Sequence, residues 1–128
     1  MARIVLVLVA VLHGTAAAFM WAAPGYWYET TPGVAMTGPL NVHFVRDVAL
    51  AFGLSAVAIL WGVMNRDRTA LWFGCGFPAA HAAYHLVMWV GRGVPLDQVA
   101  VVNLLGIQLP AWVAIGAIVL MTRQEDAA

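Results

Sequence analysis

The chain has 128 residues, of which 63% are hydrophobic and only 9% are charged, and its formal net charge is zero. Soluble domains carry roughly 25% charged residues, so this composition excludes an ordinary water-soluble domain. We expect the lipid bilayer as a partner and no nucleic acid. The single cysteine, Cys75, excludes an internal disulfide and a cysteine-rich metal site.

Four apolar segments follow one another along the chain, at about 3–23, 39–64, 69–90 and 98–121. Each is close to the ~20 residues that a helix needs to cross the hydrocarbon core of a bilayer. The sequence therefore predicts an all-α fold with a single integral membrane domain over residues 1–128. Its four transmembrane helices would form an up-down-up-down bundle.

The first segment, MARIVLVLVAVLHGTAAAF, has the basic start, apolar centre and small residues that a cleavable signal peptide also has. The apolar run continues through FMWAA to full spanning length. We therefore interpret this segment as the first transmembrane helix.

The positions of the arginines predict the orientation of the bundle. Arg3, Arg66, Arg68 and Arg123 flank helix ends on one side, whereas only Arg92 lies in a loop on the other side. Because loops rich in Lys and Arg stay in the cytoplasm, both termini and the NRDR turn are predicted to be cytoplasmic. The aromatic residues of the outer loop, PGYWYETTPGVAMTGPL, indicate that it lies on the mouth of the bundle or among the lipid headgroups. We expect a bacterial cytoplasmic membrane.

The start of the second helix is predicted near Gly38–Leu40. Proline is favoured in the first turn of a helix, and Pro39 lies within this short stretch. Such a start would leave His43 at the membrane interface.

All four histidines and Asp47 fall in the predicted outer half of the bundle. At ~1.5 Å of rise per residue, Asp47 and His85 lie at similar depths, and His81 lies one turn deeper at about the level of His13. Residues four apart share one side of a helix. His43 with Asp47, and His81 with His85, therefore each form a pair of candidate ligands.

These two pairs predict a metal site made of His43, Asp47, His81 and His85. An ionisable residue within a span normally faces the bundle interior, where it has a partner. Imidazole suits Cu, Zn and Fe, and helix bundles build metal centres from inward-facing side chains. We therefore expect a bound transition metal ion, with Asp47 as the anionic ligand.

Three other interpretations remain open. Haem could be bound if His13 and His81 were its axial ligands. The histidines and Asp47 could relay protons or ions. Alternatively, the protein could be a non-catalytic accessory subunit that docks a larger membrane complex or a second copy of itself, with Asn41 and Arg46 as structural or docking residues. Enzymatic chemistry is the weakest interpretation, because the sequence shows no nucleophile–base pair, but a metal site with an open coordination position could still be redox-active or hydrolytic.

The last helix carries two polar residues, Asn103 and Gln108. They are five residues apart, so on an α-helix they diverge by about 140°. At most one of them is expected to point at a common centre. Pro110 follows closely and removes one intrahelical hydrogen bond.

The run GYWYETTPGVAMTGPLNVHFVRDVAL, followed by HAAYH in the third span, resembles a functionally uncharacterised family of small bacterial four-helix integral membrane proteins. Members share a Thr-Gly-Pro-x-Asn-x-His-Phe-x-Arg-Asp motif and a histidine in the third helix. The resemblance implies a four-helix fold and no particular activity. It also implies that Asn41, His43, Arg46 and Asp47 belong together, although Ala49 departs from the glycine that is common after this motif.

The predicted topology is tested by cysteine labelling in intact cells. A membrane-impermeant reagent added from outside should label a cysteine placed at Thr31 and should miss a cysteine placed at Asp67. The opposite pattern would invert the orientation and overturn the comparison of depths.

Overall fold

A computed structural model describes residues 1–126 of the chain. These residues form helices and no strands. In chain order the helical elements are α1 (Ala2–Ala22), α2 (Pro24–Thr30), a 3₁₀ helix (Val34–Thr37), α3 (Val42–Asn65), α4 (Arg68–Gly91), α5 (Gln98–Val102), a π-helical segment (Asn103–Gln108) and α6 (Leu109–Asp126). The last three elements follow without a break and are together called the C-terminal helix. The all-α prediction is confirmed.

Three helices are long and apolar enough to cross a membrane: Ala2–Ala22, Val42–Asn65 and Gln98–Arg123. Helix α4 has the same length as α3, at 24 residues. Its histidines, glycines and tyrosine make it less apolar, so length and composition alone identify three of the four predicted spans.

The four long helices pack side by side in a ring. Helix α1 packs against α3 and α6, and α4 packs against the same two helices from the other side. Between α3 and α4, Gly62 lies against Leu71, and Gly74 lies against Ile59. From the first contact to the second, the residue number falls on α3 and rises on α4. The two helices are therefore antiparallel.

Small residues bring the helices close together. A Cβ added at Gly74 would lie 2.8 Å from Ile59 Cγ1 and 2.9 Å from the backbone nitrogen of Ile59. Between α1 and α3, added Cβ atoms at Gly14 and Gly53 would be in van der Waals contact with Ala56 and Ala17, each at 3.7 Å. Such contacts are typical of membrane helices, which associate mainly through close packing.

Two apolar clusters fill the ring. The larger cluster lies in the half that holds the N-terminus and the α3–α4 turn, and it includes Leu6, Ile59, Leu71 and Ile118. The smaller cluster lies near the other end of the bundle and consists of Met20, Val45 and Ala49, with Trp27 of α2 packed against it. Along α1, His13 lies between residues of the larger cluster and Met20 of the smaller one.

Helix α3 begins at Val42, later than the predicted start near Gly38–Leu40. Gly38 has φ 134° and ψ −178°, a conformation that a helix does not contain. Asn41 is the N-cap residue, because its Oδ1 accepts a hydrogen bond from the backbone N–H of Phe44 at 3.1 Å. The capping side chain therefore decides the start, and Pro39 lies before it.

The loop between α1 and α3 lies against the bundle, as its aromatic residues predicted. Helix α2 packs against α1 and α3, and the hydroxyl of Tyr28 donates a hydrogen bond to the carbonyl oxygen of Gly38 at 2.7 Å. Gly33 has φ 90°, and a Cβ there would lie 2.6 Å from Val99 Cγ1. The loop thus contacts the start of the C-terminal helix and covers this end of the ring.

The loop between α4 and α5 is held by side chains at both of its ends. Arg92 donates a hydrogen bond to Asp97 Oδ2 at 2.6 Å, and Trp89 Nε1 donates to the carbonyl oxygen of Pro95 at 2.9 Å. Asp97 Oδ1 also accepts from the backbone N–H of Ala100. This backbone hydrogen bond, followed by the bond from Arg92, holds the pKa of Asp97 below its ordinary value.

The close contact at Gly74 predicts a specific loss of stability. In Gly74→Ala the added methyl group meets the backbone of α3, so we expect the free energy of unfolding to fall by about 1–3 kcal/mol. Gly76→Ala is the matched control, because nothing lies within 4 Å of a Cβ there. Unfolding of the two purified variants by SDS in mixed micelles measures both free energies of unfolding. Equal effects of the two substitutions would contradict the close packing of α3 and α4.

Candidate functional site

The first pair of predicted ligands lies at the start of α3. His43 Nδ1 is 2.9 Å from Asp47 Oδ2, and the two side chains are 85% and 59% exposed. Helix α3 turns its buried residues, including Val45 and Ala49, toward the other helices. Asp47 is two positions from each of these, so it lies on the opposite, outward face of α3.

The second pair lies on α4 and belongs to a cluster of rings. The imidazoles of His81 and His85 have their centroids 4.5 Å apart. Phe77 stacks on His81 at 5.6 Å, and Phe52 of α3 meets both rings, at 5.1 Å from Phe77 and 5.3 Å from His81. Phe52 also contacts His13 of α1 at 5.2 Å. One phenylalanine thus joins the histidines of α1 and α4.

His13 is the most buried histidine of the cluster. It is only 4% exposed, and its Nδ1 has no hydrogen-bond partner among the residues that the structure describes. Buried polar atoms are almost always hydrogen-bonded. This nitrogen therefore has an acceptor or donor capacity that the surrounding side chains leave unused.

The four predicted metal ligands are found as two pairs and not as one group. No set of three or more His, Cys, Asp or Glu side chains that could hold a metal ion occurs within the described part of the chain. The reason lies in the geometry of α3. Asp47 and Phe52 are five residues apart and diverge by about 140°, so when Phe52 faces His81, Asp47 faces outward.

A hydrogen-bonded network connects the C-terminal helix to α4. Gln108 Nε2 donates to the carbonyl oxygen of Ala82 at 2.7 Å and to Asn103 Oδ1 at 3.1 Å. Trp112 Nε1 donates to Gln108 Oε1 at 2.9 Å. Asn103 and Gln108 are both buried, so this network stabilises the contact between the two helices away from water.

The prediction that Asn103 and Gln108 diverge is wrong, because the helix between them is not an α-helix. Residues Asn103–Gln108 form a π-helical segment, in which residues five apart come one above the other. Pro110 lacks the N–H that would continue the α-helical hydrogen bonds. The wider turn directly before it brings both amides onto one side of the helix.

The two predicted structural or docking residues lie beside the exposed pair. Asn41 caps α3 through its side chain. The Arg46 guanidinium carbon lies 5.4 Å from the centroid of the Trp21 ring at the end of α1, which is a cation–π contact. Both residues therefore stabilise the structure where α1 ends and α3 begins.

The central residue of the ring cluster, Phe52, was not singled out from the sequence. A signal was nevertheless present. The residues Val45, Ala49, Phe52, Ala56 and Ile59 recur every three or four positions, which is the pattern of a buried helix face. This pattern places Phe52 inside and Asp47 outside. Trp112, four residues after Gln108, was missed in the same way.

No protein-family model, curated protein or solved structure matches this chain. The chain's class is therefore defined by its fold, which is a ring of four long helices, three of them apolar enough to cross a membrane. The resemblance of residues 25–50 and 81–85 to a family of small bacterial membrane proteins remains a prediction from the motif.

The buried amide network predicts that the same substitution at two glutamines changes the stability of the protein by different amounts. Gln108→Leu leaves Trp112 Nε1 and Asn103 Oδ1 without their partner, so we expect a loss of about 1–3 kcal/mol in the free energy of unfolding. Gln98→Leu, the same exchange at an exposed position of α5, should have little effect. SDS titration measures the free energy of unfolding of both variants. Equal values would show that the network does not stabilise the fold.

Proposed function

We propose that the chain crosses a bacterial cytoplasmic membrane four times, with both termini in the cytoplasm. The support for a fourth span is the antiparallel packing of α4 along α3, from Leu71 beside Gly62 to His81 beside Phe52. A helix that lies along most of a spanning helix occupies the same depth of the bilayer. The arginine distribution supports the orientation, and the family resemblance supports four helices.

We further infer that the protein binds a transition metal ion through His81 and His85. The observation that carries this proposal is the contact between their imidazoles, 4.5 Å between centroids on one side of α4. Two histidines four residues apart on a helix can bind one metal ion together, as in the His-x3-His motif of zinc enzymes. The neighbouring Phe52 and Phe77 limit the access of water to this pair.

The His81–His85 pair suits Cu, Zn or Fe, because all three ions bind neutral imidazole nitrogen. Two protein ligands leave coordination positions open for water or another ligand. Haem is not proposed, because the Phe52 ring contacts both His13 and His81. That side chain occupies the region in which a porphyrin between the two imidazoles would lie.

A second candidate function is that of a subunit in a larger membrane assembly. It is favoured by the outward orientation of His43 and Asp47, which are 85% and 59% exposed. Charged and polar residues within spans almost always face protein or a water-filled cavity. A polar pair on the outer surface of the ring is therefore typical of a surface that another protein covers.

The metal proposal is tested by elemental analysis and a visible absorption spectrum of the gently purified protein. We expect a stoichiometric transition metal without a Soret band. His81→Ala and His85→Ala should each remove the metal, because one imidazole alone binds weakly. Binding should also weaken at acidic pH, because a protonated imidazole is not a ligand.

His43→Ala is the matched control, because it removes a histidine that lies outside the ring cluster. It should leave the metal content unchanged. A metal-free wild-type protein would overturn the proposal. If His43→Ala lost as much metal as His81→Ala, a site shared by both pairs would be supported in place of the α4 pair.

A further inference from the structure

A small cavity lies at the end of the ring where α3 ends and α4 begins, with α6 beside it. Its volume is about 10 Å³, which is enough for one water-sized group. Its floor is apolar, because Leu71 and Ile118 of the larger cluster are each only 1% exposed. The other residues that line it are Arg66, Arg68, Met121 and Thr122. The cavity thus combines two cationic side chains with a hydrocarbon floor.

The side chain of Arg66 is exposed, and it makes no hydrogen bond or ion pair with any residue that the structure describes. The acid of the same turn, Asp67, accepts a hydrogen bond from the backbone N–H of Ala70 at 3.1 Å. The hydroxyl of Thr122 donates to the carbonyl oxygen of Ile118 at 3.0 Å. The N–H donors of the Arg66 guanidinium are therefore available to an acceptor from outside the described residues.

Arg66 also has an unusual backbone conformation. Its φ is 56° and its ψ is 32°, which is the left-handed region in which many helices end on a glycine. A residue with a Cβ is strained there, so glycine would suit the turn better than arginine. Residues held in such conformations cluster at sites of ligand binding. The turn alone gives no reason for an arginine at this position.

The cavity lies at the depth of the lipid headgroups when α3 crosses the membrane. At ~1.5 Å per residue, the 24 residues of α3 extend about 36 Å, roughly 6 Å more than the hydrocarbon core of a bilayer. With the excess shared between the two ends, α3 ends about 3 Å beyond the hydrocarbon edge. Arg66 follows directly, so its guanidinium lies in the layer that holds the phosphate groups of phospholipids.

We propose that this cavity binds the phosphate group of an anionic phospholipid. Arginine suits phosphate because its planar guanidinium donates two parallel hydrogen bonds to the phosphate oxygens. Basic pockets between membrane helices on the cytoplasmic side bind lipid headgroups in this way. One phosphate oxygen enters the cavity, and Arg66 donates to the oxygens that remain outside it. The charge of Arg68 adds to the attraction, and the acyl chains lie in the bilayer beside the bundle.

The inference rests on the proposed four-span topology and is independent of metal binding by His81 and His85. Lipid binding is therefore measured on protein treated with a chelator, so that failure of the metal proposal leaves the result unchanged. The topology is measured separately by cysteine labelling at Thr31 and Asp67. Absence of lipid binding together with the expected labelling pattern would count against the cavity alone.

Native mass spectrometry of the purified, delipidated protein in mild detergent tests the choice of ligand. Dioleoylphosphatidylglycerol, which is anionic, and dioleoylphosphatidylcholine, which is zwitterionic, are titrated in separate series. We expect one phosphatidylglycerol molecule to bind several-fold more tightly than phosphatidylcholine. Inorganic phosphate at the same concentration should not displace it. Displacement would identify a soluble phosphate compound as the ligand and would overturn the lipid.

Substitutions of two arginines test the site itself. Arg66→Gln and Arg123→Gln remove the same charge from the same end of the bundle, but only Arg66 lines the cavity. We expect phosphatidylglycerol to bind about fivefold more weakly to Arg66→Gln, the loss typical of one arginine near a membrane surface. Arg123→Gln is the matched control and should keep the affinity within about twofold of the wild type, because its guanidinium lies outside the cavity.

Arg66→Gly separates binding from folding. Glycine fits the left-handed backbone, so we expect this variant to unfold in SDS at no lower concentration than the wild type while it binds the lipid as weakly as Arg66→Gln. Wild-type affinity in Arg66→Gly would overturn the proposal. Equal losses in Arg66→Gln and Arg123→Gln would also overturn it, because the attraction would then belong to all arginines of this end. Equal affinity for the two lipids would have the same consequence.

Discussion

The position of α3 between α1 and α4 is the constraint on which the other features of this molecule depend. Two neighbours in close contact leave a helix only one outward face, and small residues such as Ala49, Ala56 and Gly74 allow the approach. Rotating α3 so that Asp47 faced α4 would move Phe52 and Ile59 out of the interior. The apolar and steric contacts of the whole helix therefore outweigh the preference of one carboxylate for a buried partner.

This packing separates the polar residues into two environments with different chemistry. His81, His85 and His13 lie among aromatic rings, and the Nδ1 of His13 has no hydrogen-bond partner among the described residues. His43 and Asp47 pair with each other on the surface. We propose ligand binding for the first environment and a contact with another protein for the second. Neither depends on the other, so one small chain can carry both.

The π-helical segment is a second consequence of packing. Pro110 interrupts the α-helical hydrogen bonds of the C-terminal helix, and the wider turn before it aligns Asn103 with Gln108. The aligned amides then bond to the backbone of α4 at Ala82. The π-helical turn in the C-terminal helix thereby forms a specific contact with α4, four residues after Pro78.

The sequence by itself determined the helical class, the approximate limits of the long helices and the i, i+4 pairing of the histidines and Asp47, because these follow from composition and from the 3.6-residue period of a helix. It did not determine which pair faces inward. That choice depends on how α1, α3 and α4 rotate against one another, and rotation is decided by the summed contacts of whole faces. Likewise, the alignment of Asn103 with Gln108 needed the π-helical turn, which no residue pattern specifies alone. The start of α3 was decided by Asn41, whose side-chain oxygen caps the helix after the non-helical backbone at Gly38.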